Sequence, residues 1–328
     1  MSCLVAGSDA GIGVDLGGTK IAAVLIDREG GCREQVVVST RSERGPAAVL
    51  VDIAAAIRHL TALAGERRLR VRGVGVASAG IVDPQRGVLL TVTDSLPGFA
   101  NHDLQADLAA EVELPVRVLN DVHAMAWGEQ RLGAGRGVQD VLYVAVGTGI
   151  GGAFTHRGAV NVGAHGSAGD IGHVVVDRAT TARRCPCGRP GHLEAYASGP
   201  AIAAAYAQVA GTAGGGGDLR PVVERARHGD RVARTVLEDA AVLLGRAVGG
   251  IASFLDPELV VFGGGLAGIP ATLFWDRVTA SLQDEVRSPL GPMVARSALG
   301  STAAAIGAAT TTLWPAFGAT SSGHGGCE

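Results

Sequence analysis

Residues 12–26 read IGVDLGGTKIAAVLI and contain two short apolar runs on either side of a glycine turn. The runs, residues 12–16 and 21–26, have the length and composition of β-strands. Two such runs joined by a short glycine-containing turn predict a β-hairpin. Because Gly17 and Gly18 carry no Cβ atom, the same turn can bring backbone N–H groups close to an anion.

Three side chains give this turn the groups that a nucleotide phosphate and its magnesium ion require. Thr19 offers a hydroxyl group, and Lys20, the only lysine in the chain, offers a positive charge. Asp15 ends the first run, where a carboxylate could hold Mg²⁺ through water. We therefore predict that Asp15, Gly17, Gly18, Thr19 and Lys20 bind MgATP. A plain hairpin turn without a ligand is the alternative.

Outward from the hairpin, apolar periodicity predicts helices and buried strands in alternation. Helices are predicted at residues 47–64, 122–132, 200–210, 230–255 and 302–313, and strands at residues 71–77, 116–119, 141–146 and 259–262. The strand 141–146, with its Gly/Thr turn and the return strand after it, repeats the opening theme. Such internal similarity predicts two related α/β halves with a cleft between them.

Two further glycine clusters follow predicted strands. They are Gly147-Thr148-Gly149 and Gly263-Gly264-Gly265. The first belongs to a GxGxxG sequence, but it leads into a strand-like run, whereas a dinucleotide-binding loop should open a helix. The chain contains no GxxxxGK[ST] sequence, which argues against a P-loop nucleotidase. We predict that both clusters line a nucleotide site, with simple close packing as the alternative for either one.

Asn120 and Asp121 end an apolar strand and precede a predicted helix. By position alone, Asp121 would serve as a helix N-cap. Its carboxylate could instead accept the proton of an attacking hydroxyl group. Phosphoryl transfer relies mainly on positioning and charge stabilisation, and it needs one group to orient the nucleophile.

Two cysteines and two histidines form the strongest local pattern. Cys185, Cys187 and His192 lie within eight residues around a glycine-rich turn, and His173 can supply a fourth ligand. Thiolate and imidazole are preferred zinc ligands, and four of them leave no open position, so a structural tetrahedral Zn²⁺ site is predicted. The alternative is two free thiols with unrelated histidines.

Composition narrows the class of protein. The 28 basic and 31 acidic residues give a net charge of −3, so no nucleic-acid or membrane partner is expected. The five cysteines, Cys3, Cys32, Cys185, Cys187 and Cys327, are odd in number and suggest no disulfide framework. No basic segment precedes an apolar run at the N-terminus. A reducing, cytoplasmic location is therefore expected.

Together these motifs resemble the ROK family of repressors, open reading frames and kinases. The resemblance rests on DLGGTK at 15–20, the Asn120–Asp121 pair, GAHGSAGDIGH at 163–173 and CPCGRPGHLE at 185–194. It implies two actin-like (ribonuclease H-like) α/β domains flanking a central cleft. Residues 1–120 would form the N-terminal domain, with a helix at about 302–328 packed back on it. Residues 121–301 would form the larger C-terminal domain with the zinc knuckle.

The resemblance also implies roles for individual residues. Asp121 is then the catalytic base, and the sugar-binding residues are Asn101, Asn120, Asp121, Asp170, His173 and Glu194. His173 would give one ring nitrogen to zinc and the other to the sugar. The chain departs from the family pattern twice. His192 stands where a third cysteine is usual, and Asp170 stands where the kinases usually carry glutamate.

The expected function is transfer of a phosphoryl group from MgATP to the 6-hydroxyl of a hexose, with glucose first. Open alternatives are kinases of N-acetylmannosamine, N-acetylglucosamine or another sugar, a polyphosphate donor, and a sugar-binding protein without turnover. Regulators resembling this chain carry a winged helix-turn-helix ahead of the first strand. Only about ten residues precede residue 12, so no DNA-binding role is expected. A homodimer or homotetramer is expected.

Overall fold

The computed structural model describes residues 8–212 and 217–314, and it shows a mixed α/β protein. Its strands are β1 (Asp9–Leu16), β2 (Lys20–Asp27), β3 (Cys32–Ser39), β4 (Arg70–Ser78), β5 (Ile81–Val82), β6 (Leu89–Thr91), β7 (Val116–Asn120), β8 (Val141–Val146), β9 (Ile150–His156), β10 (Ala159–Asn161), β11 (Leu259–Gly263) and β12 (Met293–Arg296). Its helices are α1 (Pro46–Glu66), α2 (Leu104–Val112), α3 (Asp121–Leu132), α4 (Glu194–Ala197), α5 (Gly199–Ala210), α6 (Arg220–Arg227), α7 (Arg231–Leu255), α8 (Trp275–Glu285) and α9 (Ala303–Leu313).

The described residues divide into two compact units. The first unit comprises residues 8–128, 159–167 and 302–314, and the second comprises 129–158, 168–212 and 217–301. These contact-based limits do not coincide with the predicted domain limits at residues 120 and 301, which remain a prediction. Cys3, Cys327 and the predicted helical segment after residue 314 lie outside the described residues.

The sheet of the first unit has the strand order β3-β2-β1-β4-β7. Strand β2 is antiparallel to both β1 and β3, whereas β4 is parallel to both β1 and β7. The predicted hairpin is confirmed, with Leu16 opposite Ile21 across the glycine turn. This order brings the carboxyl ends of β1, β4 and β7 to one edge of the sheet, the edge where α/β sheets commonly bind ligands.

The second unit repeats this arrangement. Its strands run in the order β9-β8-β11-β12, in which β8 and β9 are antiparallel and the other two pairs are parallel. That is the order and direction of β2-β1-β4-β7 in the first unit. The predicted repeat of α/β halves is therefore confirmed. Behind the second sheet lies an apolar core to which α5, α6, α7 and α8 contribute.

Helix α9 packs directly on the sheet of the first unit, because two strand glycines leave room for its backbone. A Cβ atom on Gly13 would lie 1.8 Å from the carbonyl oxygen of Ala305, and one on Gly75 would lie 2.0 Å from that of Ala308. Alanines occupy the facing side of the helix and are fully buried, as in Ala305 and Ala308. The contact therefore depends on small residues on both surfaces.

We expect Gly75→Ala to destabilise the protein by about 2 kcal/mol or more, because its methyl group would overlap a backbone oxygen that cannot rotate away. Gly65→Ala is the control, since a Cβ atom there meets nothing within 4 Å. The control should be neutral or more stable by up to about 1 kcal/mol. Urea unfolding at equilibrium measures both, and equal midpoints for the two variants would contradict the close contact.

Helix α1 has the length and apolar composition of a membrane-spanning helix. A core helix meets the same test, and Val49, Ile53, Ile57 and Leu60 of α1 are fully buried in the core of the first unit. Its other side carries charged residues, among them the exposed Arg58 and the half-buried Asp52, which is ion-paired with Arg44. The burial of one face and the charges of the other fit a helix packed on a sheet.

Candidate active site and metal cluster

Asp15 and Asp121 lie at the ligand-binding edge of the first sheet. Asp15 is the last residue but one of β1, and Asp121 begins α3 directly after β7. β4 lies between them, with Asp15 opposite Ala77 and Asn120 opposite Ser78. The structure thus brings together two of the acidic residues that the sequence singled out.

Asn120, rather than Asp121, caps helix α3. Its Oδ1 accepts the backbone N–H groups of Val122 at 2.9 Å and His123 at 3.0 Å, and its Nδ2 donates to the carbonyl oxygen of Gly80 at 2.9 Å. The capping role considered for Asp121 is therefore filled by its neighbour. The side chain of Asp121 also accepts the N–H of Val122, at 2.9 Å from Oδ1.

The two carboxyl groups have unusual proton affinities. Burial raises the pKa of Asp121, against the hydrogen bonds from Val122 N–H and its own backbone N–H. Burial, reinforced by the negative charge of Asp121 and opposed by Lys20, raises the pKa of Asp15 to about 7. A carboxylate with a raised pKa is a stronger proton acceptor, which suits a general base.

This pKa shift predicts how stability depends on pH. In the folded protein Asp15 holds its proton up to about pH 7, whereas the unfolded chain releases it near the ordinary value of 3.8. The folded state binds more protons between those values, so the free energy of unfolding falls as pH rises through that window. Asp15→Asn removes the titration. In magnesium-free buffer its Tm should exceed that of the wild type by several degrees at pH 8, with the difference shrinking toward pH 4. A Tm difference independent of pH would contradict the shifted pKa.

The turn between β1 and β2 is held in place from two sides. Gly17 N–H donates to the carbonyl oxygen of Lys20 at 3.1 Å, and the Thr40 hydroxyl donates to the carbonyl oxygen of Gly17 at 2.6 Å. A Cβ atom on Gly18 would lie 2.2 Å from the Cβ atom of Ser95, so only glycine fits there. Thr19 and Lys20 are exposed at the tip. The side chains predicted to bind phosphate are thus available to solvent.

Asn101 lies in the loop before α2 and has a left-handed backbone, with φ 60°. Asparagine tolerates this conformation better than most residues. Its N–H donates to the carbonyl oxygen of Leu89 at 2.6 Å, and the residue is exposed. The sugar-binding role assigned to Asn101 by resemblance remains a prediction.

In the second unit, the other two glycine clusters lie side by side. They follow β8 and β11, which are neighbours in the sheet with Gly263 opposite Ala145. A Cβ atom on Gly147 would lie 3.4 Å from the backbone nitrogen of Gly265. Gly264 has φ 85°, and a Cβ atom there would lie 2.6 Å from the carbonyl oxygen of Val146. These contacts create a backbone-lined surface at the carboxyl ends of two parallel strands.

Glu194 reaches this surface from the first turn of α4. Its Oε2 accepts the N–H of Ile150 at 2.8 Å, and a Cβ atom on Gly149 would lie 2.6 Å from the same oxygen. Its Oε1 lies 3.9 Å from the Sγ atom of Cys185. Glu194 therefore joins the Gly147–Gly149 loop to the cysteine-containing segment. The sequence offered no local signal for this contact, because its partners lie 44 residues apart.

The four predicted metal ligands come together. One ligand atom from each of His173, Cys185, Cys187 and His192 lies within 4.8 Å of all the others. Tetrahedral zinc with sulfur and nitrogen ligands requires separations of about 3.3–3.8 Å, and the Cys187 Sγ to His192 Nδ1 distance is 3.2 Å. Two thiols and two imidazoles in this arrangement fit a zinc ion, because the donor types match and small movements suffice.

Burial shifts the pKa values of two members of the cluster, His192 and Cys185, in opposite directions. Burial, together with the neighbouring His173 and Arg189, lowers the pKa of His192, which favours a neutral imidazole able to coordinate. Burial chiefly raises the pKa of Cys185 to about 12, so the thiol keeps its proton when no ion is bound. Coordination would displace that proton.

Asp170 directly precedes a one-turn 3₁₀-helix (Ile171–His173), and its side chain forms a hydrogen bond with His173 at the end of that turn. Asp170 Oδ1 lies 2.8 Å from His173 Nδ1. The resemblance implied that His173 gives one ring nitrogen to zinc and the other to the sugar. With Asp170 on Nδ1, only Nε2 is available, so a sugar hydroxyl could bind Nδ1 only by displacing Asp170.

Comparison with known proteins shows the family to which the chain belongs. The ROK family profile matches residues 11–314. The glucokinase of Thermotoga maritima is 32% identical over 275 residues, covering 80% of this chain and 84% of that protein. An N-acetylmannosamine kinase of Escherichia fergusonii is 33% identical over 255 residues, covering 77% and 82%. A ROK family glucokinase from Streptomyces griseus, solved with glucose and AMPPNP, superposes with a TM-score of 0.77 at 31% identity over 92% of this chain and 98% of that one.

These matches extend over both units and agree with the repeated strand order, so the predicted actin-like α/β fold is confirmed. The chain therefore belongs to the ROK family and groups with its sugar kinases.

Proposed function

We propose that the protein is an ATP-dependent hexose kinase that transfers the γ-phosphoryl group of MgATP to the 6-hydroxyl of glucose. The main support for this proposal is that two neighbouring residues at the start of α3, Asn120 and Asp121, have different tasks. Asn120 caps the helix, and this leaves the partly buried carboxylate of Asp121, with its raised pKa, to accept a proton. A kinase needs such a group beside its acceptor hydroxyl.

Each step of the reaction has a candidate group in the chain. Asp121 accepts the proton of the sugar hydroxyl as the oxygen attacks phosphorus, while the β–γ bridging bond breaks toward ADP. Lys20 and Thr19, exposed at the β1–β2 turn, hold phosphate oxygens. Magnesium, when bound, supplies charge neutralisation on the phosphates, and the Asp15 carboxylate would hold it through water. The pKa of Asp15 near 7 would fall beside the cation.

The second unit supplies the remaining candidates. The paired glycine clusters, Gly147–Gly149 and Gly263–Gly265, present backbone groups to the nucleotide. The carboxylates of Asp170 and Glu194 would accept hydrogen bonds from sugar hydroxyls. The side chains of Asn101 and Asn120 would bind others in the first unit. Zinc at the cysteine–histidine cluster would hold the segments that carry Asp170 and Glu194.

A kinase of N-acetylmannosamine or N-acetylglucosamine is the second candidate. It is favoured by the 33% identical N-acetylmannosamine kinase. It is also favoured by Asp170, whose side chain is about 1.5 Å shorter than the usual glutamate and leaves more room for a substituent. A cytoplasmic homodimer or homotetramer using ATP remains our expectation, with polyphosphate as the alternative donor.

A panel of sugars distinguishes these candidates. ADP release would be measured with glucose, mannose, fructose, allose, N-acetylglucosamine and N-acetylmannosamine at matched concentrations, with ATP and then polyphosphate as donor. Glucose should give the highest kcat/KM. A higher value for an N-acetylated sugar would shift the assignment to the second candidate, and no turnover with any sugar would contradict kinase function. Direct binding of the same sugars would then test the non-catalytic alternative.

A further inference from the structure

We propose that Ser95 is a positioning residue for the nucleotide phosphates, because its side chain fixes the backbone of Gly18 in the β1–β2 turn. The inference rests on the proposed function, in which this turn binds the phosphates of MgATP. Its basis is a close approach. A Cβ atom on Gly18 would lie 2.2 Å from Ser95 Cβ, 2.6 Å from Ser95 Oγ and 2.9 Å from the Ser95 carbonyl oxygen. Apart from the chain neighbours of Gly18, these are the three atoms nearest to that position, so Ser95 forms the surface against which Gly18 packs.

The N–H of Gly18 is available to a ligand. Within the parts of the chain that the structure describes, it donates to no protein acceptor, and Gly18 is half-buried. The N–H of Gly17, by contrast, already donates to the carbonyl oxygen of Lys20 at 3.1 Å. Backbone N–H groups in a glycine turn can bind phosphate oxygens when they have no partner in the protein. The affinity for phosphate should therefore depend on where the Gly18 peptide group lies.

A different residue holds the two neighbours of Gly18 in the turn. The Thr40 hydroxyl donates to the carbonyl oxygen of Gly17 at 2.6 Å, and the Thr40 N–H donates to that of Thr19 at 3.0 Å. Thr40 is fully buried, so it fixes the turn on both sides of Gly18. Gly18 itself is positioned by its packing contact with Ser95.

Ser95 can support the turn because its own loop is fixed. Its Oγ atom lies 2.6 Å from Thr93 Oγ1, and this hydrogen bond holds the side chain in one orientation. The N–H of Leu96 donates to the carbonyl oxygen of Thr93 at 3.0 Å. Leu96 and Phe99 are fully buried in the core of the first unit. The segment that contains Ser95 is therefore bonded internally and attached to the core.

The same loop contains Asn101, but separate contacts hold that residue. The N–H of Asn101 donates to the carbonyl oxygen of Leu89 at 2.6 Å, and the N–H of Leu89 donates to the carbonyl oxygen of His102 at 3.0 Å. A change at Ser95 should therefore alter nucleotide affinity much more than sugar affinity. A role confined to stability would not separate the two affinities.

The first part of the experiment moves the Gly18 backbone. Calorimetric titration with the magnesium complex of AMPPNP, a non-hydrolysable ATP analogue, measures the nucleotide Kd, and titration with the best substrate of the sugar panel measures the sugar Kd. Gly18→Ala should weaken AMPPNP binding about tenfold or more, since a displaced turn loses a hydrogen bond to a charged ligand. Gly18 has no left-handed backbone angle, so alanine can adopt its conformation. Gly65→Ala is the control, because a Cβ atom there meets nothing within 4 Å.

The second part changes the supporting side chain. Ser95→Gly removes the two closest atoms and should weaken AMPPNP binding about fivefold, whereas Ser95→Ala keeps Cβ and should bind within about twofold of the wild type. Ala100→Gly, exposed in the same loop, controls for added backbone freedom. The double variant Gly18→Ala/Ser95→Gly should bind AMPPNP more tightly than Gly18→Ala, because the new methyl group then has room. Independent effects would multiply instead.

A double variant that binds AMPPNP no better than Gly18→Ala would overturn the inference. So would equal losses in Ser95→Ala and Ser95→Gly, which would make the hydroxyl a direct ligand. Lys20→Met tests the site itself and should weaken AMPPNP binding about tenfold. If it does and Gly18→Ala binds like the wild type, the inference alone fails. An unchanged Kd in Lys20→Met, or a wild-type chain that binds no AMPPNP, would overturn the proposed nucleotide site together with the inference.

Discussion

Asp121→Asn should lower kcat by roughly 10²–10⁴-fold, which is the range that removal of a general base produces. The substitution keeps the size of the side chain and keeps an oxygen that can accept the Val122 N–H, now 2.9 Å from Oδ1. It removes only the ability to take a proton. The fold should survive, because Asn120 continues to cap α3.

Two measurements make this assignment specific. KM for the sugar should change much less than kcat, since an interaction made only in the transition state is lost. The wild-type kcat should also rise with pH through the elevated pKa of Asp121, because the base works only in its ionised form. Asp107→Asn, on the exposed face of α2, serves as the control for a substituted acid. A kcat within a few-fold of the wild type for Asp121→Asn would remove Asp121 from the mechanism.

Local sequence patterns predicted much of the architecture, because the central strands of both sheets are buried and arranged in the same way. Most buried residues of β1, β2, β4 and β8 are apolar or glycine, and the turns that follow these strands contain glycine, so periodicity and turn chemistry agree. The strands that the sequence did not indicate lie at sheet edges. β3 reads CREQVVVS with its residues mostly exposed or half-buried, and β12 has only four residues. Edge strands carry a weaker apolar signal because one side of their backbone has no partner strand.

In the candidate site, too, local motifs indicated some features, whereas others depend on contacts between distant segments. The motifs pointed to Asp15, Asp121 and the four predicted metal ligands, because each stands in a short pattern with its own chemistry, and the structure brings the four predicted ligands together. The contacts that decide their roles join distant segments. Asn120 takes over the helix cap by also bonding Gly80, 40 residues earlier, and Ser95 closes the space over Gly18. Neither contact has a local signature, so the assignment of the helix cap to Asn120 and not to Asp121 required the structure.

Gly149→Ala is the second substitution from which we expect a large effect, about a 10²-fold loss of kcat/KM. Gly149 has no left-handed backbone angle, so alanine can adopt the conformation. Its Cβ atom would, however, lie 2.6 Å from Glu194 Oε2, the oxygen that accepts the Ile150 N–H. The carboxylate must move, and the loop that we assign to the nucleotide loses its tie to α4. A displacement of about 1 Å in a positioning group can cost about 10²-fold in rate.

The matched control is Gly268→Ala. Gly268 ends the short 3₁₀-helix Gly265–Gly268, and a Cβ atom there would meet nothing within 4 Å. It should leave kcat/KM and Tm unchanged. Combining Gly149→Ala with Glu194→Ala tests the cause, because the methyl group then has no carboxylate to displace. If contact with Glu194 is the reason for the loss, the double variant should be no worse than Glu194→Ala alone, since residues that share a contact do not act additively. Losses that simply multiply would show that Gly149 acts independently of Glu194, and the loop would then need another explanation for its glycine.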